Sequence, residues 1–244
     1  INNLIQGNLS GAGHGGGIRL AGVNGADIEA NGNPRQWYEI NILNNVIVNN
    51  VAGYAAGGIS LQDPAKVRIL HNTVANNDSS ATALAAFGGG TTSAPQGAGI
   101  VSHLHSALLS TLSGQLYSDP DLQNNIIWHN RSFYYDGTAQ TLVQAARPLD
   151  FNDLTIAEVP GMTLNPINCV FSRNNPPKGG TGNVVGNPRF RLQYVNDLAT
   201  AVVVDEAGNN ISVRFTPTGL WQLNTAANQG NYHLSGVSTR AALN

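Results

Sequence analysis

Apolar residues recur at every second position over short runs, Ile18/Leu20, Ile40/Ile42, Ile59/Leu61 and Val67/Ile69, and each run is broken by Gly or Asn. A period of two predicts short β-strands joined by turns. No long segment with helical periodicity carries caps at both ends, so nothing in the pattern supports helices. Above this alternation lies a longer repeat. Asn2-Asn3-Leu4-Ile5-Gln6-Gly7-Asn8, Asn44-Asn45-Val46-Ile47-Val48-Asn49-Asn50, His71-Asn72-Thr73-Val74-Ala75-Asn76-Asn77, Asn124-Asn125-Ile126-Ile127-Trp128-His129-Asn130 and Asn168-Cys169-Val170-Phe171-Ser172-Arg173-Asn174 share one template. Stacked, they give two polar columns. Asn3, Asn45, Asn72 and Asn125, closed by Cys169, form the first; Asn8, Asn50, Asn77, Asn130 and Asn174 form the second. Ile5, Ile47, Val74, Ile127 and Phe171 make an apolar column between them.

A glycine word alternates with the asparagine word: Gly16-Gly17-Ile18, Gly57-Gly58-Ile59 and Gly97-Ala98-Gly99-Ile100. The tightest complete cycle is about 27 residues, within the range of repeat architectures. Other cycles are the same unit with insertions near 22–36, 79–96, 103–121 and 131–165, rich in small and turn-forming residues. A chain whose every turn adds one strand to each of several parallel sheets stacks such columns: apolar ones become core and Asn ones corners, where Asn tolerates left-handed backbone. The expectation is an all-β, right-handed parallel β-helix over 1–190, its handedness taken from the general rule for parallel crossovers. Residues 191–244 are expected to belong to the same domain. They would form a hairpin excursion, with strands near 201–205 and 210–215, followed by a final repeat strand within 231–240.

The Asn-Asn-x-Ile and Gly-Gly-Ile words resemble the parallel β-helix repeats of pectate-lyase-like proteins, especially the repeat regions of large bacterial secreted and cell-surface proteins. Gly182-Asn183-Val184-Val185-Gly186-Asn187-Pro188-Arg189-Phe190 and Asn231-Tyr232-His233-Leu234-Ser235-Gly236-Val237-Ser238 are similar to the closing words of such repeats, with Asn187 and Thr239 departing from the pattern. The resemblance implies a fold and leaves the chemistry open, because this fold hosts lyases, hydrolases, adhesins and spacers.

Composition narrows the function. Charged residues are 11%, Lys plus Arg is 12 with Lys66 and Lys178 the only lysines, and net charge is −2. No basic stripe is present, which argues against a nucleic-acid partner. Asn exceeds even Gly at 28, giving an uncharged polar surface of extracellular type. No apolar run approaches a membrane span. Ile1 falls inside a repeat word, so the chain is expected to be a piece of something longer.

Three chemistries deserve weighing. Asp63, Lys66 and Arg68 place an acid beside two bases, as a polysaccharide lyase would need to neutralise a uronate carboxylate and abstract its proton; an ordinary turn explains the same residues. His103 and His105 point the same way in a strand, a spacing that holds a transition metal when a third ligand converges. Asp27, Glu29, Asp119 and Asp121 offer oxygens for Ca²⁺ without an Asp-rich binding loop. Gly13-His14-Gly15 resembles a word of polygalacturonase-type hydrolases, yet the matching Asp-Asp pair is absent and Leu70 stands where that family has Lys, so a flexible corner accounts for His14. No complete acid/base set emerges. The leading expectation is a non-catalytic extracellular or cell-surface module, a spacer, adhesive or matrix element joined to a larger polypeptide or assembly and possibly to polysaccharide. The alternatives are a lyase or hydrolase of an acidic glycan and a metal-binding accessory module.

Overall fold

The computed structural model describes residues 1–23, 25–174, 179–201, 212–215 and 230–235. The chain is all-β, its strands gathered mainly into parallel sheets. Strands Leu4–Gln6, Leu9–Ser10, Ile18–Ala21 and Ile40–Leu43 each open a different sheet. The next four, Val46–Val48, Val51–Ala52, Ile59–Gln62 and Val67–Leu70, visit the same sheets in the same order. Thr73–Ala75, Asp78–Ser79, Ile100–Ser102 and Asp121–Gln123 do so again. Ile126–Trp128, Arg131–Asp136 and Leu154–Ile156 continue the first three sheets, and Val170–Phe171 and Val184–Val185 extend the first to six strands.

Register explains the sequence columns. Ile5, Ile47, Val74, Ile127, Phe171 and Val185 are direct parallel partners along the first sheet. Ile18, Ile59, Ile100 and Leu154 align along the third, and Ile42, Ile69 and Leu122 along the fourth. Apart from the exposed Val185, their inward side chains form one core cluster, and Ile47, Ile59, Ile69, Val74, Ile100 and Ile127 are wholly buried. Burying each contributes about 1.5–3 kcal/mol relative to leaving it in water. Glycine is required where rounds touch: a Cβ on Gly57 would lie 2.3 Å from the Asp78 carbonyl oxygen, and one on Gly99 2.1 Å from that of Asp153.

The insertions are more ordered than their composition suggests. Two short helices, Gly25–Ala30 and Ala107–Ser113, occur where the alternation pattern supports none. The second is too short to show periodicity, but Ser106 Oγ caps it by accepting from Leu109 N at 3.4 Å and Gly114 ends it in left-handed backbone. Ile28, Trp37 and Leu109 pack the helices into a satellite cluster. Residues 79–96, an insertion of small and turn-forming residues, bury Ala81, Ala83, Ala86 and Ser93. The span 131–165 is only partly an insertion: it holds a hairpin of Arg131–Asp136 with Thr141–Gln144 and the third-sheet strand Leu154–Ile156.

The end of the chain departs from the repeat. Asn231–Leu234 adds no parallel rung; it pairs antiparallel with Phe190–Leu192. The reason is apolar cover. Phe190, Tyr232 and Leu234 pack on Val48, Ala75, Ile126, Trp128 and Val170, outward residues of the first sheet that would otherwise face water. Leu198–Ala201 pairs antiparallel with Ser212–Phe215, so the expected hairpin begins at Leu198 rather than Ala201, and residues 202–211 between its strands lie outside the described set.

Candidate functional site

Each asparagine word turns the chain at both ends of a first-sheet strand. The residue before the column position has positive φ at most of these turns, among them 54° at Asn44, 58° at His71, 54° at Asn124 and 51° at Asn168 on one corner, and 57° at Asn49, 53° at Asn76 and 53° at His129 on the other. Asn populates this conformation more readily than most residues. The following side chain is thereby turned inward, into the gap between rounds. Asn3 donates both its backbone N–H and its Nδ2–H to Asn45 Oδ1 at 3.0 and 3.1 Å. Asn45 repeats this on Asn72 at 2.9 and 2.9 Å, and Asn72 on Asn125 at 2.8 and 3.2 Å. Asn125 then approaches Cys169 Sγ at 3.4 and 3.8 Å, and Cys169 N donates to Asn183 Oδ1 at 2.9 Å.

The second column runs likewise from Asn8 to Asn50, Asn77 and Asn130 at 2.9–3.2 Å. Nδ2 groups also reach backwards: those of Asn50, Asn72, Asn77, Asn125 and Asn130 donate to the carbonyls of Ile5, Ile42, Ile47, Ile69 and Val74. Buried amides with their hydrogen bonds made stiffen an interior that would otherwise be apolar. The top of this column differs from the sequence expectation. Asn174 is exposed, and the rung above Asn130 is Asp153, 1% exposed, because the chain leaves for the hairpin after Asn130 and returns through Asp153. Asp153 Oδ2 accepts from Ser172 N at 2.8 Å.

The sequence-nominated catalytic set does not converge. Arg68 lies 3.5 Å from both Glu39 and Asp121, and Lys66 Nζ donates to the Trp37 carbonyl at 3.3 Å. Asp63 turns instead to the 103–121 arm, where its Oδ1 accepts from Ser106 N at 2.6 Å and sits 3.4 Å from His105 Nδ1. Asp63 and Ser106, with Glu29, Gly22, Ile28 and the leucines of the second helix, line an open pocket of about 80 Å³.

His103 and His105 take different partners. His103 Nδ1 donates to Glu158 Oε1 at 3.2 Å, which fixes the tautomer, and its ring meets His14 edge-on at 4.5 Å between centroids. His14 also packs edge-on against Tyr54 at 4.7 Å. Burial pushes the pKa of all three histidines down, His14 to about 4, with neighbouring His103 and Arg19 adding to the effect there. They are neutral at pH 7. An oriented imidazole beside a carboxylate is the frame of a general base, but the His103 side chain is 5% exposed and its Nε2 meets no hydrogen-bond partner among the described residues. Nor do three or more His, Cys, Asp or Glu side chains converge for a metal among the described residues.

His14 and Glu158 were missed as partners of His103 because they come from distant words; Glu158 is 55 positions away. Asp153 and Asn183 were missed as rungs for a related reason: 23 and 14 residues separate them from the rungs they join, against 42, 27 and 53 lower in the columns. No helix among the described residues is long and apolar enough to cross a membrane. No protein-family model, curated protein or solved structure matches this chain.

Proposed function

We propose that the chain is a right-handed parallel β-helix serving as a non-catalytic module of a larger secreted or cell-surface protein, a rigid spacer or matrix element with an adhesive surface. The observation that carries this is the pair of buried polar columns. Each ties one round to the next through paired bonds from a backbone N–H and a side-chain amide to a single acceptor, an investment in axial continuity. The chemistry supports the same reading. Arg68 is paired with two carboxylates and Lys66 with a carbonyl, so neither is set to neutralise a uronate or act as base beside Asp63. His103 is closed over by His14.

The test has two parts. The first part deletes residues 46–72, one tight round: Asn45 should then join Thr73 in register, and the chain should still fold with a β-sheet circular-dichroism spectrum and unfold cooperatively. Incubation with polygalacturonate and other uronate glycans should release no unsaturated product. A deletion variant that fails to fold would defeat the fold reading, and unsaturated product lost in Arg68→Ala would defeat the non-catalytic one.

A further inference from the structure

The two corners flanking the first sheet are built alike, a left-handed residue followed by a buried column residue, yet they are covered differently. On one, the chain shows what such a corner binds. Asn49 Nδ2 and Asn76 Nδ2, from successive rounds, converge on the Tyr194 carbonyl oxygen at 2.8 and 2.9 Å, and the Tyr232 hydroxyl joins them. Two residues on, Asn196 Nδ2 donates to Asp78 at 3.0 Å and the Asn196 carbonyl accepts from Arg131 Nη2 at 2.7 Å. Segment 194–196 therefore climbs the corner along the stacking direction, held by polar side chains of three successive rounds.

The opposite corner repeats the chemistry without such a cover among the described residues. Asn2, Asn44, His71, Asn124 and Asn168 occupy the equivalent positions, each with positive φ and each exposed. They form one row because their backbone N–H groups donate round to round, Asn2 to Leu43, Asn44 to Leu70, His71 to Gln123 and Asn124 to Ile167. Among the described residues, the only side-chain bond within this row is Asn44 Nδ2 to Asn2 Oδ1 at 2.7 Å. Neighbouring rungs lie about 4.8 Å apart, so two amides can share one carbonyl as Asn49 and Asn76 do.

We infer that this row is a docking ridge for an extended polypeptide segment of a partner, lying along the stacking direction and held through its backbone carbonyl groups. On the fourth sheet, whose strands lead into this row, one Arg68 guanidinium lies 3.5 Å from both Glu39 and Asp121, two carboxylates against one cation, so the partner segment carries no excess of acidic residues. The inference goes beyond the spacer reading and rests on it only for the continuity of the corner.

The probe is the chain's own strap, a capped peptide of the sequence Phe190–Asp197, titrated into the ¹⁵N-labelled full chain. The side-chain NH₂ signals of Asn44, Asn124 and Asn168 should shift together and saturably. The double variant Asn44→Gly/Asn124→Gly keeps the left-handed turns and removes two amides, so it should weaken binding about tenfold while melting close to the parent. Absence of shifts at millimolar peptide overturns the inference, as does binding that survives the double variant. So does a soluble dextran or polygalacturonate that shifts these signals when the peptide does not, since the row would then be a glycan surface. Loss of folding on deleting residues 46–72, with the peptide still bound to the row of the intact chain, would sink the spacer reading and leave the ridge standing.

Discussion

Asn130 gives its backbone N–H and its Nδ2–H to one atom, Oδ1 of Asp153, at 3.1 and 3.0 Å, so a carboxylate completes a column otherwise made of amides. The second oxygen of Asp153 is not idle, since it accepts from Ser172 N. Asp153→Ala should therefore strand three donors and lower stability by about 2–4 kcal/mol. Asp153→Asn keeps one acceptor and turns an N–H toward Ser172, so its loss should be smaller, about 1–2 kcal/mol. Urea unfolding of both variants checks the order.

Position within the column sets the cost. Asn77 is wholly buried and bonds to Asn50, Asn130 and the Ile47 carbonyl, whereas Asn8 is exposed and bonds forward only to Asn50 and back to the Gln6 carbonyl of its own round. Asn77→Ala should cost about 2–4 kcal/mol and Asn8→Ala under about 1 kcal/mol. Equal melting shifts for the two would show that burial does not control the columns.

Burial pushes the Asp78 carboxyl up, and the Arg131 guanidinium, at 2.7 and 2.9 Å from its two oxygens, works against that rise. Arg131→Met leaves the acid buried without its partner and should cost about 3–5 kcal/mol. Adding Asp78→Asn to that variant should recover part of the loss. If the double variant is no more stable than Arg131→Met, the pair is not the source of the effect.

Four histidines are held neutral by burial: His14 and His129 with pKa lowered to about 4, His103 and His105 lowered as well. In the unfolded chain each would take a proton near pH 6.5. The unfolded state thus binds more protons between these limits, so stability is full above about pH 6.5 and falls as pH drops toward 4. Melting temperatures across that range should show the slope, and His14→Gln with His129→Gln should flatten it.

Cys169 is wholly buried, and burial raises its thiol pKa although bonds from Asn125 oppose the rise. A disulfide-exchange reagent should label it only as the protein unfolds, at the rate of unfolding. Rapid labelling under native conditions would mean that the first column opens above Asn125.

The order of the strands could be read in advance because parallel stacking maps equal words onto equal places. Asn45 and Asn72 share a column in sequence and bond in space for one reason. That logic fails where a column changes chemistry or spacing. Asp153 breaks the amide spelling, and Asn183 follows Cys169 too soon to register as another round. It fails again for His14, His103 and Glu158, which meet from one glycine-flanked corner and two separate insertions and obey no period. Asp63, Lys66 and Arg68 show the converse: closeness in sequence did not become convergence, because the turn at Asp63, with φ of 57°, sends its carboxylate to Ser106 while Lys66 reaches the Trp37 carbonyl and Arg68 reaches Glu39.

Between one rung and the next the chain spends 42, 27 or 53 residues, yet the rungs meet at nearly the same distance. Contour length is thus decoupled from height. Surplus sequence is paid out sideways at fixed latitudes, and the axis does not register it. Rounds of very different length therefore bring their column residues to the same place, and the excess is packed at the side of the sheets, as 79–96 and 103–121 show.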